Sequence, residues 1–435
     1  MSNKIFHRKL RRDLGLSGAT MMGLGSILGT GVFVSIGVAA GVTGPSVVFA
    51  IILAALVATC NALSSAQLAA NHPVSGGTYE YGYRYLHPTM GFTAGWMFLC
   101  AKTASAATAA LGFAGYFLHL FGFRTISIIP VAVTIVIVLT LIVLSGIKRS
   151  NKTNLIIVSI TLLSLVVFVA FGFPILLQNG GQNLSPFFPK TTTDGFSHFL
   201  YATALMFVAY TGYGRIATMG EEVKEPASTI PKAIILTLVA SAVIYILVAV
   251  VAIGSVGSTQ LATVTENRAT PLEIAASTMN QPGLVILIAL GACTAMLGVL
   301  LNLILGLSRM VLAMGRQQDL PELFAMVSNK HRTPVAAVVG IGLAIAALTL
   351  FGSVETTWSF SAFTVLIYYS ITNLSALYLP KEQRLYPNFI AVSGLISCLF
   401  LAFWVPLTIW LSGLLLIALG LVWHGFHRYY LKGRR

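Results

Sequence analysis

Side chains able to do acid–base or ionic chemistry are scarce inside the apolar stretches of this sequence. Asp13, Glu80, Asp194, Glu221, Glu222, Glu225, Glu266, Glu273, Asp319, Glu322, Glu355 and Glu382 all fall between apolar stretches or at their ends, and only Lys102 and Arg215 place a charge within one. Ionisable groups at membrane depth are expensive to hold and therefore point to function. Lys102 would stand roughly 20 Å along its stretch if that is helical at about 1.5 Å per residue. If it faces other helices it is a candidate for exchanging a proton; otherwise it snorkels or bonds carbonyls. Arg215 reads as a partner for a helix end or for Glu221 and Glu222. No Ser/His/Asp or carboxylate–histidine constellation and no Walker loop is present, which argues against a hydrolase or an ATP-driven pump. His119, His198, His424 and His427 lack metal-ligand spacing, so no metal is expected.

Backbone offers more. The run Gly23-Leu24-Gly25-Ser26-Ile27-Leu28-Gly29-Thr30-Gly31-Val32-Phe33 sits mid-way along an apolar stretch, yet four of its eleven residues are glycine. Glycine weakens a helix, so the sequence predicts that the helix stops there. Broken backbone is tolerated in a membrane only where it is buried in protein or lines a cavity, and its freed N–H and C=O groups can hold a small polar ligand. The alternative is close helix packing, since Gly25/Gly29 and Gly37/Gly41 have small-xxx-small spacing.

The elements that must position such a break follow from composition. With 57% hydrophobic and 9% charged residues in 435, the chain is a polytopic membrane protein rather than a soluble globule. Stretches of spanning length fall near 14–41, 45–70, 89–121, 126–147, 153–177, 196–220, 231–256, 283–314, 335–352, 357–379, 387–404 and 406–427, twelve in all. With the N-terminus inside, this count puts 21 Lys and Arg on the cytoplasmic side. Only Arg124, Lys190 and Arg268 lie outside, and Lys102 and Arg215 within spans account for the rest of the 26. That split satisfies the positive-inside rule and places both termini in the cytoplasm. The net charge of +14 is thinly spread, so it reads as topology and not as a nucleic-acid surface. Cys60, Cys100, Cys293 and Cys398 all lie in apolar runs and behave as small hydrophobes.

A second interruption lies in the sixth stretch, at Phe207-Val208-Ala209-Tyr210-Thr211-Gly212-Tyr213-Gly214. Matching interruptions five spans apart point to a binding site at the interface of two inverted repeats. The repeats would be 14–177 and 196–379, followed by an extra pair of spans over 387–427, with cytoplasmic ends at 1–13 and 428–435.

Several short motifs then converge in order. Gly29-Thr30-Gly31-Val32-Phe33, Pro73-Val74-Ser75-Gly76-Gly77-Thr78-Tyr79, Gly146-Ile147-Lys148-Arg149-Ser150, Gly220-Glu221-Glu222-Val223-Lys224-Glu225-Pro226 and Ser308-Arg309 with Asp319-Leu320-Pro321 resemble the amino acid-polyamine-organocation superfamily. The run Ile216 to Glu222 is most similar to its cationic amino acid transporter branch. The resemblance implies an all-α, leucine-transporter-type fold: twelve transmembrane helices in a five-plus-five inverted repeat, helices 1 and 6 broken, and two extra helices. It also implies an amino acid permease of the plasma membrane working by alternating access.

For the site, the resemblance implies a carboxylate at the N–H groups around Ile27, Gly29, Thr30 and Gly31, where a helix start presents positive dipole. It implies an ammonium at the carbonyls of Val208, Ala209 and Thr211, with Tyr213 as an aromatic gate. The helix-five lysine of many members is Thr161 here and the aspartate after the sixth-helix glycine is Gly214, so proton or sodium coupling is open, with Lys102, Thr161 and Arg215 the candidate coupling positions. Lacking intramembrane carboxylates, the chain suits neutral amino acids better than cationic ones or polyamines. The partners expected are the amino acid and the lipid bilayer, with no nucleic acid; a transporter-like sensor or a channel is the remaining alternative. No cofactor is expected, and the oligomeric state is not legible.

Overall fold

A computed structural model describes residues 14–72, 76–123, 125–146, 151–187, 194–218, 223–328 and 333–432. The chain ends 1–13 and 433–435, and the motif residues Pro73 to Ser75, Ile147 to Ser150 and Met219 to Glu222, lie outside them. Among the described residues all regular structure is helical, with one isolated bridge between Leu14 and Val223.

The first apolar stretch divides into α1 (Leu16–Ile27) and α2 (Ile36–Thr43), joined through a π-helical turn at Gly31–Ser35. Next come α3 (Val47–Asn71), the short α4 (Thr78–Tyr85), α5 (Pro88–Leu120), α6 (Ile128–Leu144) and α7 (Asn151–Asn183). The sixth stretch divides into α8 (Gly195–Tyr210) and α9 (Gly214–Ala217). Then follow α10 (Pro226–Val256), the connecting α11 (Ser258–Arg268) and α12 (Pro271–Ser277), α13 (Pro282–Arg316), α14 (Val335–Phe351), α15 (Val354–Leu377), α16 (Asn388–Ala402) and α17 (Leu407–Lys432). Among the described residues seven stretches are long and apolar enough to cross a membrane: Gly31–Asn71, α5, Lys152–Asn183, α10, α13, α15 and Leu407–Tyr429; α6, α14 and α16 are apolar but shorter. The chain is a multi-pass membrane protein.

Where each helix sits follows from its polar content. Helices α5 and α15 are rich in serine and threonine and are the most enclosed of the spanning stretches, because a hydroxyl facing hydrocarbon lacks a partner beyond its own turn. Their hydroxyls pair across the interface, Ser105 with Ser361 at 2.7 Å and Thr108 with Thr357 at 2.8 Å. Helices α7 and α17 carry exposed Leu177, Val166, Val422 and Phe426, a surface fit for acyl chains.

Glycine serves packing as well as interruption. A Cβ on Gly25 would come within 2.6 Å of Asn154 on α7, and one on Gly41 within 2.8 Å of Ala262 on α11. Both readings of the glycine spacing therefore hold at once: the small residues that let α1 and α2 be approached flank the place where the helix stops.

Candidate functional site

The stop falls at Leu28 and Gly29, just ahead of the Gly29-Thr30-Gly31 run that the sequence singles out. Leu28 leaves the helix in extended conformation (φ −77°, ψ 91°). Helix resumes when Gly29 O accepts the N–H groups of Val32 at 3.2 Å and Phe33 at 3.1 Å. A fresh helix start leaves its first N–H groups without intrahelical acceptors, so the backbone of Thr30 and Gly31 faces the gap with donors.

The sixth stretch is interrupted more gently than its composition predicts. Tyr210 and Thr211 stay right-handed (φ −83°, ψ −17° and φ −68°, ψ −2°), and the chain tightens into a 3-10 turn at Thr211–Tyr213 before α9. The physical reason is the neighbour: Gly212 lies against the Ser26 carbonyl of α1, and a Cβ there would come within 2.7 Å of Ile27. The two helix ends press on each other. Val208 O takes both the N–H and, at 2.7 Å, the hydroxyl of Thr211. Ala209 O lies 3.1 Å from Tyr245 Oη, and Thr211 O accepts from Tyr369 Oη at 3.4 Å. The three carbonyls implied for the ammonium are thus already engaged, Val208 O by two donors.

Between these ends lies a cavity of about 460 Å³, within the range of small-molecule sites. Its wall includes Ile27, Thr30, Gly31, Val208, Ala209, Thr211, Lys102 and Arg215. It extends past Asn302 on α13 to Arg309 and Arg316 at one end of that helix, and to Gly76 and Thr78 beside α4. Among its described lining residues there is no carboxylate. Glu80 of α4 stays outside, its carboxyl pushed up by burial and only partly offset by a hydrogen bond from Gln317. A second cavity of about 540 Å³ lies at the opposite end of α8, lined by His198, Glu266 and Glu355.

Three of the residues singled out in the sequence stand off the wall. Gly29 is in the break but behind it. Thr161, on α7, is buried and donates to Ile157 O of its own helix at 2.9 Å. Tyr213 is fully buried with its ring 5.5 Å from that of Tyr369 and is not part of the wall, where Phe98, Trp358, Tyr368 and Tyr369 are among the aromatic residues. The 3-10 turn carries Tyr213 to the packed side. Lys102 Nζ donates to Thr211 Oγ1 at 2.8 Å, so the buried amine sits at the C-terminal end of α8. Arg215 lines the cavity, while Glu221 and Glu222 lie outside the described residues.

The roles of two residues escape sequence reasoning. Tyr245, on α10, places its hydroxyl 2.8 Å from Ile27 O and 3.1 Å from Ala209 O, bridging the two helix ends. Its only signal is a tyrosine in an otherwise apolar span, whose hydroxyl must find a buried partner. Tyr245→Phe leaves two broken-helix carbonyls one donor short, a loss of about 1–3 kcal/mol. The expected outcome is uptake about tenfold lower at unchanged membrane yield. Asp319, beyond α13, is the second: its Oδ2 accepts from Tyr79 Oη at 2.7 Å and Tyr83 Oη at 2.6 Å, and its Oδ1 stands 3.2 Å from His424 Nδ1.

Comparison with known proteins finds transporters among the relatives of this chain. The chain is 38% identical to an uncharacterized transporter of Mycobacterium tuberculosis over 97% of its own length and 92% of the relative's. It is 28% identical to a branched-chain amino acid permease of Bacillus subtilis over 94% and 92%. A vacuolar cationic amino acid transporter of Arabidopsis thaliana is 27% identical over 79% of this chain and 59% of that one. The amino acid permease family model matches residues 18–427, and with two helix ends meeting at one cavity inside a helical membrane protein, the chain belongs to the amino acid permease family.

Proposed function

We propose that this permease is a secondary transporter of neutral α-amino acids, working by alternating access with the substrate between the α1 break and the end of α8. The observation that carries it is the pairing of a helix start at Thr30 and Gly31 with a helix end at Val208 to Thr211 across one cavity. A carboxylate suits the first, an ammonium the second. Such backbone recognition favours α-amino acids as a class. A cationic side chain would find no counter-charge among the described lining and would pass Arg309 and Arg316 at the mouth, which favours neutral substrates over the cationic ones named for the plant relative.

In this reading the chain makes twelve spans with both termini cytoplasmic in a plasma membrane. Helices α1 to α7 and α8 to α15 form the two inverted repeats, and α16 and α17 are the extra pair. The cavity that reaches Arg316 then opens to the cytoplasm, and the one lined by Glu266 and Glu355 is the outer vestibule.

Counterflow in proteoliposomes tests it. Internal unlabelled leucine or alanine accelerates entry of labelled neutral amino acid saturably, and internal arginine does not. Flux without saturation makes the protein a channel, binding without flux makes it a sensor, and acceleration by arginine moves the substrate class to cations.

A further inference from the structure

The two halves of the cavity are furnished unequally. On the side of the α1 break, the Thr30 hydroxyl is 4% exposed and makes no hydrogen bond among the described residues, and the Asn302 amide nitrogen is likewise without a partner. On the side of α8 an amine is already in place. Lys102 Nζ donates to Thr211 Oγ1 at 2.8 Å, and that hydroxyl in turn donates a hydrogen bond to Val208 O at 2.7 Å. The lysine reaches across from α5, held among buried neighbours and with no carboxylate in the described lining to pair with. Its partner is instead the negative end of a sixteen-residue helix, a place that favours a cation.

The geometry points to Lys102 as a built-in stand-in for the substrate's ammonium group. This rests on the reading above, in which the end of α8 receives that ammonium. Two ammonium groups repel at such a distance in a low-dielectric site, so the arriving substrate displaces the lysine from Thr211, and the lysine returns when the substrate leaves. The consequence is kinetic. A carrier whose α8 end is capped in both conditions can reorient without cargo, whereas one lacking the stand-in reorients only when loaded. Lys102 therefore sets the balance between net transport and exchange, and it competes with the substrate. It is a positioning residue acting through Thr211 and α8.

The experiment compares, in proteoliposomes, labelled amino acid entry into vesicles with and without internal unlabelled substrate, for wild type, Lys102→Met, Lys102→Arg and Thr211→Val. The expected result for Lys102→Met is an exchange-to-net ratio raised at least tenfold, about 1.4 kcal/mol in the reorientation barrier, together with a lower half-saturating substrate concentration. Lys102→Arg keeps the ratio within about threefold of wild type because it keeps a cation at the helix end. Thr211→Val, which leaves the lysine but removes the hydroxyl it donates to, moves the ratio in the same direction as Lys102→Met and decides the matter if that variant does not reach the membrane. An unchanged ratio overturns the inference. So does a raised half-saturating concentration with the ratio unchanged, which makes Lys102 a substrate ligand instead. Wild-type protein with no counterflow for any amino acid overturns the transport reading itself, whereas counterflow with unaltered ratios overturns only the stand-in.

Discussion

Gly212→Val is expected to abolish amino acid uptake while the protein still reaches the membrane. Gly212 is where the two interrupted helices touch: a Cβ would run into the carbonyl of Ser26 and come within 2.7 Å of Ile27. The obstacle is backbone, which cannot swing aside as a side chain can, so the α1 end or the 3-10 turn must move. Overpacking of this kind costs about 1–3 kcal/mol or more. Misplacement by ~1 Å of groups that must meet a small ligand has effects of about a hundredfold. The loss is therefore expected in the half-saturating concentration and the maximal rate together. Gly212→Ala, with a single methyl, retains a few per cent of uptake, and in both variants the melting temperature in detergent falls by less than the activity. A Gly212→Val protein that transports normally would show that the contact between helix ends is not part of the site.

The second large effect is on stability. Asp319→Ala removes the acceptor around which α4, the end of α13 and α17 are assembled. Its carboxylate is 1% exposed and receives the Tyr79 and Tyr83 hydroxyls, while its backbone oxygen accepts from Trp423 Nε1 at 3.0 Å and Arg428 reaches Tyr83 Oη at 3.2 Å. Burial, then the Asp319 charge, pushes the Tyr79 phenol up; burial and the Asp319 hydrogen bond do the same to Tyr83, so both stay protonated as donors. Hydrogen bonds to a charged group contribute about 1.5–3 kcal/mol each, so losing two is expected to destabilise by about 3–5 kcal/mol. The check is a triple-mutant cycle on thermal unfolding. Asp319→Ala combined with Tyr79→Phe and Tyr83→Phe is destabilised by less than the separate losses added, because paired removal leaves no orphaned group. Full additivity would mean these contacts do not act as one cluster.

Much of the architecture was legible before any coordinates. Spans, their likeness to amino acid permeases and the stop in α1 are properties of short windows: hydropathy summed over about 20 residues, and glycine density within eleven. Even so, the break came slightly early, at Leu28, because helix ends are set by where a carbonyl last finds a donor and not by where glycine is densest. The form of the sixth-helix interruption was not legible at all. Two glycines among bulky residues predict disruption, but whether the chain unwinds or tightens depends on Ser26, 186 residues away, pressing on Gly212.

Composition and local pattern, then, were enough to determine that this chain lives in a bilayer, that it is helical and roughly where the first helix gives way, since each of those depends on a residue and its near neighbours. Partnerships were decided only by the folded bundle. Lys102 meets Thr211 across 109 positions, Tyr245 meets Ile27 across 218, and Asp319 meets Tyr79 across 240. The physical reason is that in an apolar medium a polar side chain takes whichever partner helix packing brings within about 3 Å, and the face a helix turns to its neighbours is settled by every other helix at once.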